Sequence, residues 1–287
     1  MRVMLNLTVI FAFAVFSQCW AAAVDFQTFV CPAKDEKTQC ERKYLLHLPD
    51  SLKVNAPLLF VLHGYRGDAR DYMGEMGMNS QAERHGFAVC YPQGSDDVEG
   101  VAHWNARLKI SETDDVYFLS QLALALHEKY GLNPKKTFVC GVSNGGFMSY
   151  TLVAEKPDVF KAAASVIGTM SGATWESRAR CKAVPVLQMS GLHDEVVPHD
   201  GSMSTRGGWG GAPSQDEVIK FWAGLANATE EEVVELTPKT TVRYFRGGRN
   251  GIEVWFYQVK KMGHAIPNMN NSGIDVSKEL WRFFRRF

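Results

Sequence analysis

The sequence has no excess of charge of either sign, because 31 Lys and Arg side chains are balanced by 31 Asp and Glu side chains in 287 residues. It therefore has neither the basic field that attracts nucleic acid nor an acidic field that would attract a cationic partner. It also lacks internal repeats, low-complexity tracts and His or Cys clusters with metal-ligand spacing. We expect no nucleic-acid partner, no metal and no cofactor, which leaves a small-molecule, oligomeric or neutral polymer substrate.

The start of the chain lacks the roughly 20 consecutive apolar residues that a membrane span needs. Its apolar run, Met4 to Phe16, follows Arg2 and precedes Ala21-Ala22-Ala23. That order predicts an export signal over residues 1–23, and hence a secreted or periplasmic protein with no stable membrane insertion after signal removal. A permanent membrane anchor and a lipid anchor on Cys19 are the alternatives, although the residues before Cys19 do not resemble a lipoprotein processing site.

Cysteine is scarce, with six residues in all, five of which follow the predicted signal. In an oxidising compartment some of the five should pair, and an odd number leaves at least one thiol. Cys31 and Cys40 are the expected disulfide, because they are close in sequence and bracket the polar segment PAKDEKTQ. The sequence leaves open the partners of the other three, Cys90, Cys140 and Cys181. Residues 24–287 are enough to bury a substantial core and are expected to form one catalytic domain.

Short apolar runs that end in Gly or polar turns recur along the chain and predict strands, mostly buried on both faces. They are KYLLHLPD, APLLFVLHG, FAVCYPQG, TFVCGVSNGG, VPVLQMSGLHD and IEVWFYQVKKMGH. Helical periodicity between them predicts one helix capped by Thr113 and stopped by Gly131, a second that opens on the capping box Ser214–Glu217, and a third from Val276 to Phe287. This alternation predicts an α/β fold with a mainly parallel sheet flanked by helices, and ligands gather at the carboxyl ends of such strands.

The segment Gly141-Val142-Ser143-Asn144-Gly145 matches G-x-S-x-G and lies between an apolar strand and a helical segment. The pentapeptide alone would be a common Gly-rich turn. In this context the two glycines allow the sharp strand-to-helix turn that lifts a nucleophilic serine out of an α/β-hydrolase sheet. We therefore expect the α/β-hydrolase fold, with Ser143 as nucleophile.

A serine hydroxyl needs a base, and the base needs a buried acid that fixes its tautomer. In this fold the chain order is Ser, then the acid, then His. Asp194 follows the strand VPVLQMSG, and His264 follows the strand EVWFYQVKKMG, so both are expected at the same sheet edge as Ser143. The alternatives are Glu195 as the acid, and as the base His193 or His199, which would reverse the order.

The oxyanion of an acyl-transfer intermediate needs backbone N–H donors. We expect one from Asn144, which follows the nucleophile, and one from Tyr65 in the segment His63-Gly64-Tyr65, whose His-Gly form is found before such a hole. A plain strand-ending turn is the alternative for that segment. The glycine-rich stretch RGGWGGAP, residues 206–213, is either a mobile surface loop or a flap that carries Trp209 to the active site.

The chain resembles the α/β-hydrolase esterase family that groups poly(3-hydroxybutyrate) depolymerases with feruloyl and acetylxylan esterases. The resemblance extends from about Arg42 onward and rests on HGYRGD, CYPQGSD, Trp104-Asn105 with the later Asp114-Asp115-Val116, GVSNGG, GLHDEVVPHDG and GHAIP. It implies that Ser143, Asp194 and His264, which lie in the last three of these blocks, form the triad. The family commonly has Trp in place of Ile266 and Tyr in place of His199, so one wall of the pocket is expected to differ.

The resemblance implies a serine carboxylic-ester hydrolase. Trp104 and Asn105 are expected to line the pocket, as a soluble aromatic ester would favour, although simple packing is an equal alternative for the tryptophan. Depolymerases of solid polyester usually carry a separate polymer-binding domain, which we do not find in this chain, so soluble feruloyl, acetyl or hydroxybutyrate esters are the expected substrates. A peptidase or acyltransferase with the same triad is the first alternative function, since the fold does not fix the acceptor. A non-catalytic binding protein is the second, and an intact triad argues against it.

Overall fold

The computed structural model describes residues 25–32 and 41–287. The predicted export signal and Cys40 lie outside the described residues, so both the signal and the Cys31–Cys40 disulfide stay predictions. Within the described ranges, Cys90, Cys140 and Cys181 are buried free thiols. No helix in these ranges is long and apolar enough to cross a membrane.

Twelve strands are present among the described residues. They are β1 (Gln27–Val30), β2 (Glu41–His47), β3 (Leu58–Leu62), β4 (Ala88–Pro92), β5 (Ser95–Asp96), β6 (Ala102–His103), β7 (Thr137–Val142), β8 (Ala162–Val166), β9 (Val186–Gly191), β10 (Glu230–Thr237), β11 (Thr240–Arg246) and β12 (Val254–Val259). Each of the six apolar runs contains or overlaps one of them, so these strand predictions are confirmed.

Ten of these strands form one sheet in the order β1-β2-β4-β3-β7-β8-β9-β12-β11-β10, and β5 pairs with β6 outside it. The six central strands, β4 to β12 in that order, are parallel to one another. Antiparallel pairs complete both sides of the sheet. The carboxyl ends of β7, β9 and β12 therefore share one edge, which is where the three predicted catalytic side chains follow their strands.

The helices of the described ranges are α1 (Ala69–Glu75), α2 (Met78–His85), α3 (Asp115–Tyr130), α4 (Asn144–Glu155), α5 (Gly172–Glu176), α6 (Gln215–Ala226) and α7 (Val276–Phe284). The capping box of α6 is present as predicted. The cap predicted for α3 is wrong by one residue, because Asp114 accepts the N–H of Tyr117 while the hydroxyl of Thr113 accepts from Ser95 instead. The helix α7 ends before Phe287.

Buried side chains form two hydrophobic layers, one on each face of the sheet, because successive residues of a strand point to opposite faces. On β3, Leu58, Phe60 and Leu62 join the layer that contains buried residues of α3, α4 and α6. Leu59 and Val61 join the other layer, with residues of α2 and α7. Both faces of the central strands are thus covered, which leaves the carboxyl edge for ligands.

Candidate active site

Ser143 lies in a strained turn between β7 and α4. Its φ of 52° and ψ of −116° put it in a region that L-residues rarely adopt. The flanking glycines are required by space, since a Cβ on Gly141 would lie 2.2 Å from the carbonyl oxygen of Gly145, and a Cβ on Gly145 would lie 2.5 Å from that of Leu62. The sequence therefore builds a close strand-to-helix crossing that leaves the Ser143 side chain on a cavity wall.

The structure brings Ser143, His264 and Asp194 into one hydrogen-bonded chain. The Ser143 Oγ lies 2.9 Å from His264 Nε2, and His264 Nδ1 lies 2.8 Å from Asp194 Oδ2. An ionised carboxylate only accepts hydrogen bonds, so Nδ1 carries the proton and Nε2 is left to accept the serine proton. This is the arrangement that general-base activation of a serine requires.

The turn after β9 fixes Asp194, which is buried. Its Oδ1 accepts the backbone N–H groups of Val196 at 2.9 Å and Val197 at 2.8 Å, so only Oδ2 faces the histidine. The alternative acid, Glu195, is exposed, as is His193. The other alternative base, His199, is bonded to the side chain of Gln258. None of these three side chains lines the cavity that contains Ser143.

The sequence predicts that the amides of Tyr65 and Asn144 bind an oxyanion. Asn144 is the first residue of α4, whose leading N–H groups have no partner inside the helix. A Cβ on Gly64, which precedes Tyr65, would be in ordinary van der Waals contact with Ser143, 3.7 Å from its Cβ. Among the described residues, neither amide N–H has a hydrogen-bond acceptor. Both donors are therefore near the nucleophile and available to a ligand.

His63 fixes the peptide that contains the Tyr65 amide. Its Nδ1 lies 2.7 Å from the carbonyl oxygen of Gly64, and its Nε2 accepts the N–H of Gly94 at 2.9 Å. The acceptor role of Nε2 makes Nδ1–H the donor to Gly64. In a trans peptide the Gly64 carbonyl and the Tyr65 N–H point in opposite directions, so this bond also sets the direction of that N–H. Burial lowers the pKa of His63 from 6.5 to about 4, which keeps this tautomer neutral.

This depressed pKa predicts acid sensitivity. We expect the free energy of unfolding to fall as the pH drops from 6.5 to about 4. Over this range the imidazole of residue 63 binds a proton in the unfolded chain but stays neutral in the folded protein. The contribution, up to about 3 kcal/mol, is fully present above pH 6.5 and is lost on approaching pH 4.

Urea unfolding of the protein and of a His63→Asn variant across this pH range checks the prediction. The Asn amide retains a donor for Gly64 but does not titrate, so the stability gap between the two proteins should narrow as the pH falls. Equal pH slopes would contradict it.

The expectation that Trp104 and Asn105 line the pocket differs from the structure. Both are buried, and neither lines the cavity that contains Ser143. The backbone N–H of Trp104 donates to Asn144 Oδ1 at 2.7 Å, and its carbonyl accepts from Asn144 Nδ2 at 2.9 Å. The Trp104 indole donates to the carbonyl of His63 at 3.0 Å. Trp104 therefore links the segment that contains His63 to Asn144, the residue after Ser143.

A buried ion pair between Arg42 and Asp115 holds the backbone at Asn105, the residue after Trp104. Arg42 donates to Asp115 Oδ1 at 2.8 Å, and the backbone N–H of Asn105 donates to Asp115 Oδ2 at 2.7 Å. The Asn105 side chain bonds the carbonyls of Ser111 and Thr113. Both carboxylate oxygens are satisfied, as a fully buried charge requires. Sequence reasoning missed Arg42 as a support residue, since its partner is 73 positions away.

The structure places Trp209 on the wall of the cavity that contains Ser143 and His264. The cavity has a volume of about 350 Å³, and its other walls include Tyr65, Phe147 and Met203. The Trp209 ring packs edge-on against Tyr65 with centroids 5.2 Å apart, and against Phe147 at 6.4 Å. Burial and a hydrogen bond to Asp97 raise the pKa of Tyr65 to about 12, so its ring is neutral. Among the described residues, no group of three metal-ligating side chains is present.

The central parallel sheet, its covering helices and the serine turn define the α/β-hydrolase fold. Solved structures agree: the acetyl xylan esterase from Aspergillus awamori is 17% identical, with a TM-score of 0.65, and the match covers 91% of this chain and 99% of that one. A thermostable esterase is 20% identical, with a TM-score of 0.55, and the match covers 91% of this chain and 60% of that one. At these identities the likeness shows the fold.

The chain belongs to the esterase family described as Esterase PHB depolymerase, which matches residues 42–219. Feruloyl esterase B of Piromyces equi is 26% identical over 253 residues, covering 86% of this chain and 45% of the relative. Poly(3-hydroxyalkanoate) depolymerase C of Paucimonas lemoignei is 26% identical over 197 residues, covering 66% and 46%. For five of the curated relatives, the match covers only 21% to 52% of the relative's own length.

Proposed function

We propose that the protein is a serine carboxylic-ester hydrolase with Ser143 as nucleophile, His264 as general base and Asp194 as the residue that orients His264. The hydrogen-bonded chain from Asp194 through His264 to Ser143, which opens on a cavity, is the observation that carries the proposal. Membership of an esterase family supports it.

In the first half of the reaction, the Ser143 oxygen attacks the ester carbonyl carbon while His264 Nε2 takes the hydroxyl proton. The negative charge that develops on the carbonyl oxygen is bound by the N–H groups of Tyr65 and Asn144, and each such donor contributes roughly 3 kcal/mol. The tetrahedral intermediate then breaks its bond to the alcohol oxygen. His264 returns the proton to that oxygen, the alcohol leaves, and the acyl group stays on Ser143.

In the second half, water attacks the acyl carbon and gives its proton to His264 Nε2. The bond to the Ser143 oxygen breaks, the oxygen regains the proton, and the carboxylic acid is released. Asp194 remains ionised throughout and stabilises the imidazolium that forms twice per cycle. His63 keeps the Tyr65 N–H directed at the oxyanion without exchanging protons with substrate.

We infer that the substrates are soluble esters with an aromatic or apolar group, among them feruloyl esters, acetyl esters and hydroxybutyrate oligomers. The aromatic wall formed by Trp209, Tyr65 and Phe147 supports this inference, because stacking adds about 0.5–1.5 kcal/mol to the binding of a well-placed ring. Relatives named as feruloyl esterase, acetylxylan esterase and poly(3-hydroxyalkanoate) depolymerase act on the ester classes in their names.

A substrate panel tests this function. Methyl ferulate, a short acetyl ester, soluble hydroxybutyrate oligomers and a solid polyester film are compared under one set of conditions, with a peptide as a further arm. We expect turnover of the soluble esters, and a KM for methyl ferulate lower than that for an equally soluble aliphatic ester by up to about tenfold.

The variant Trp209→Leu should remove this aromatic preference while ester turnover persists. Trp175→Leu is the matched control, since that ring packs on Phe221 and lies outside the cavity. Erosion of the film with negligible turnover of the soluble esters would contradict the substrate inference. Cleavage of the peptide alone would show that the protein is a peptidase and not an esterase.

A further inference from the structure

The cavity that contains Ser143 has one full charge on its wall. Among the described residues that line it, Arg206 is the only Lys, Arg, Asp or Glu, and most of the others are apolar or aromatic. Arg206 is exposed, and within the described part of the chain its guanidinium has no hydrogen-bond or ion-pair partner. An arginine fork without an internal carboxylate is available to a carboxylate on a ligand.

The segment that carries Arg206 is anchored. Trp209, three residues later, is held by the ring contacts described above. The N–H of Lys109 donates to the carbonyl of Gly208 at 2.9 Å. Gly208 has a φ of 82°, and a Cβ there would lie 2.8 Å from the carbonyl oxygen of Lys109. These contacts fix the backbone next to Arg206, which lines the cavity.

We propose that Arg206 is a specificity-determining residue that selects esters with a free carboxylate on the half that occupies the cavity. This inference rests on the proposed ester hydrolysis at Ser143. The guanidinium binds the carboxylate through two parallel hydrogen bonds, as a bidentate pair. The apolar walls of the cavity contact the carbon chain between the carboxylate and the ester. No bond is made or broken at Arg206, so its effect falls on KM and leaves kcat nearly unchanged.

Such a carboxylate has two possible positions on the substrate. The dimer of 3-hydroxybutyrate carries it on the alcohol half, and monoethyl glutarate carries it on the acyl half. Each is compared with its neutral analogue, in which a primary amide replaces the carboxylate at nearly the same size. For at least one pair we expect kcat/KM to be about three- to tenfold higher for the acid, and this ratio to shrink at high salt, as for an exposed charge pair.

Three variants assign the preference. Arg206→Gln should bring the acid-to-amide ratio close to one, mainly by raising KM for the acid. Arg206→Lys should keep part of the ratio, because it retains the charge without the fork. Arg180→Gln removes the same charge from a different cavity and should leave the ratio as it is.

Two results would overturn the inference: neutral analogues hydrolysed as well as the acids of both pairs, or a preference for the acid that survives in Arg206→Gln. Both differ from failure of the proposed function, in which neither acids nor amides are hydrolysed and the inference falls with it. A preference confined to one pair supports the inference and tells which half of the ester occupies the cavity.

Discussion

Replacing Ser143 by Ala should abolish ester hydrolysis, with a loss on the order of 10⁴-fold or more in kcat. The change removes the only oxygen that lies 2.9 Å from His264 Nε2 among the described side chains, and so no acyl-enzyme forms. Initial rates with a soluble nitrophenyl ester measure the loss. The fold should survive, because alanine fits wherever serine does and the strain at φ 52° is the same for both.

The matched control is Ser149→Ala, the same chemical change on α4, the helix that follows Ser143. The Ser149 hydroxyl is buried and bonded to the carbonyl of Gly145 at 2.9 Å, away from the cavity. This variant should keep most of the activity. A folded Ser143→Ala protein that retains more than a few per cent of wild-type turnover would remove Ser143 from the nucleophile role.

The strands that carry the site were predictable, while others in the same sheet were not. The segments that became β3, β7, β9 and β12 are rich in Val, Leu and Phe, which is the composition that central parallel strands need. The strand β8, AAASV, is just as buried but has little β-branched or aromatic content, so its position is set by its neighbours in the sheet. The outer strand β10 is exposed and Glu-rich, which gives it no hydrophobic signal.

Some residues of the site were likewise predictable from the sequence, and others were not. Local steric demands mark the serine turn, because Gly141 and Gly145 have no room for a side chain, and this demand is visible as G-x-S-x-G. The roles of Trp104 and Arg42 depend on partners 40 and 73 residues away, and no short pattern encodes such pairings. The burial that makes His63 neutral likewise exists only once the chain has folded.

Replacing Asp194 by Asn should reduce kcat about 10³- to 10⁴-fold with a small effect on KM, because the substrate does not touch this residue. The reason lies in its hydrogen bonds. Two backbone N–H groups, of Val196 and Val197, point at Oδ1 and require an oxygen there. The asparagine therefore turns its NH₂ group toward His264 Nδ1. Two donors then face each other, so the imidazole shifts its proton to Nε2 and can no longer accept that of Ser143.

Glu195→Gln is the control that makes this result specific, since it removes one negative charge at the next position. Glu195 is exposed and lies outside the cavity that contains Ser143, so we expect less than about a twofold change in kcat, as for a screened surface charge. Steady-state rates for both variants, with circular dichroism to show that each is folded, decide between the two acids. Inactivity of Glu195→Gln together with near-normal turnover in Asp194→Asn would reverse the assignment and break the hydrogen-bonded chain on which the proposed mechanism depends.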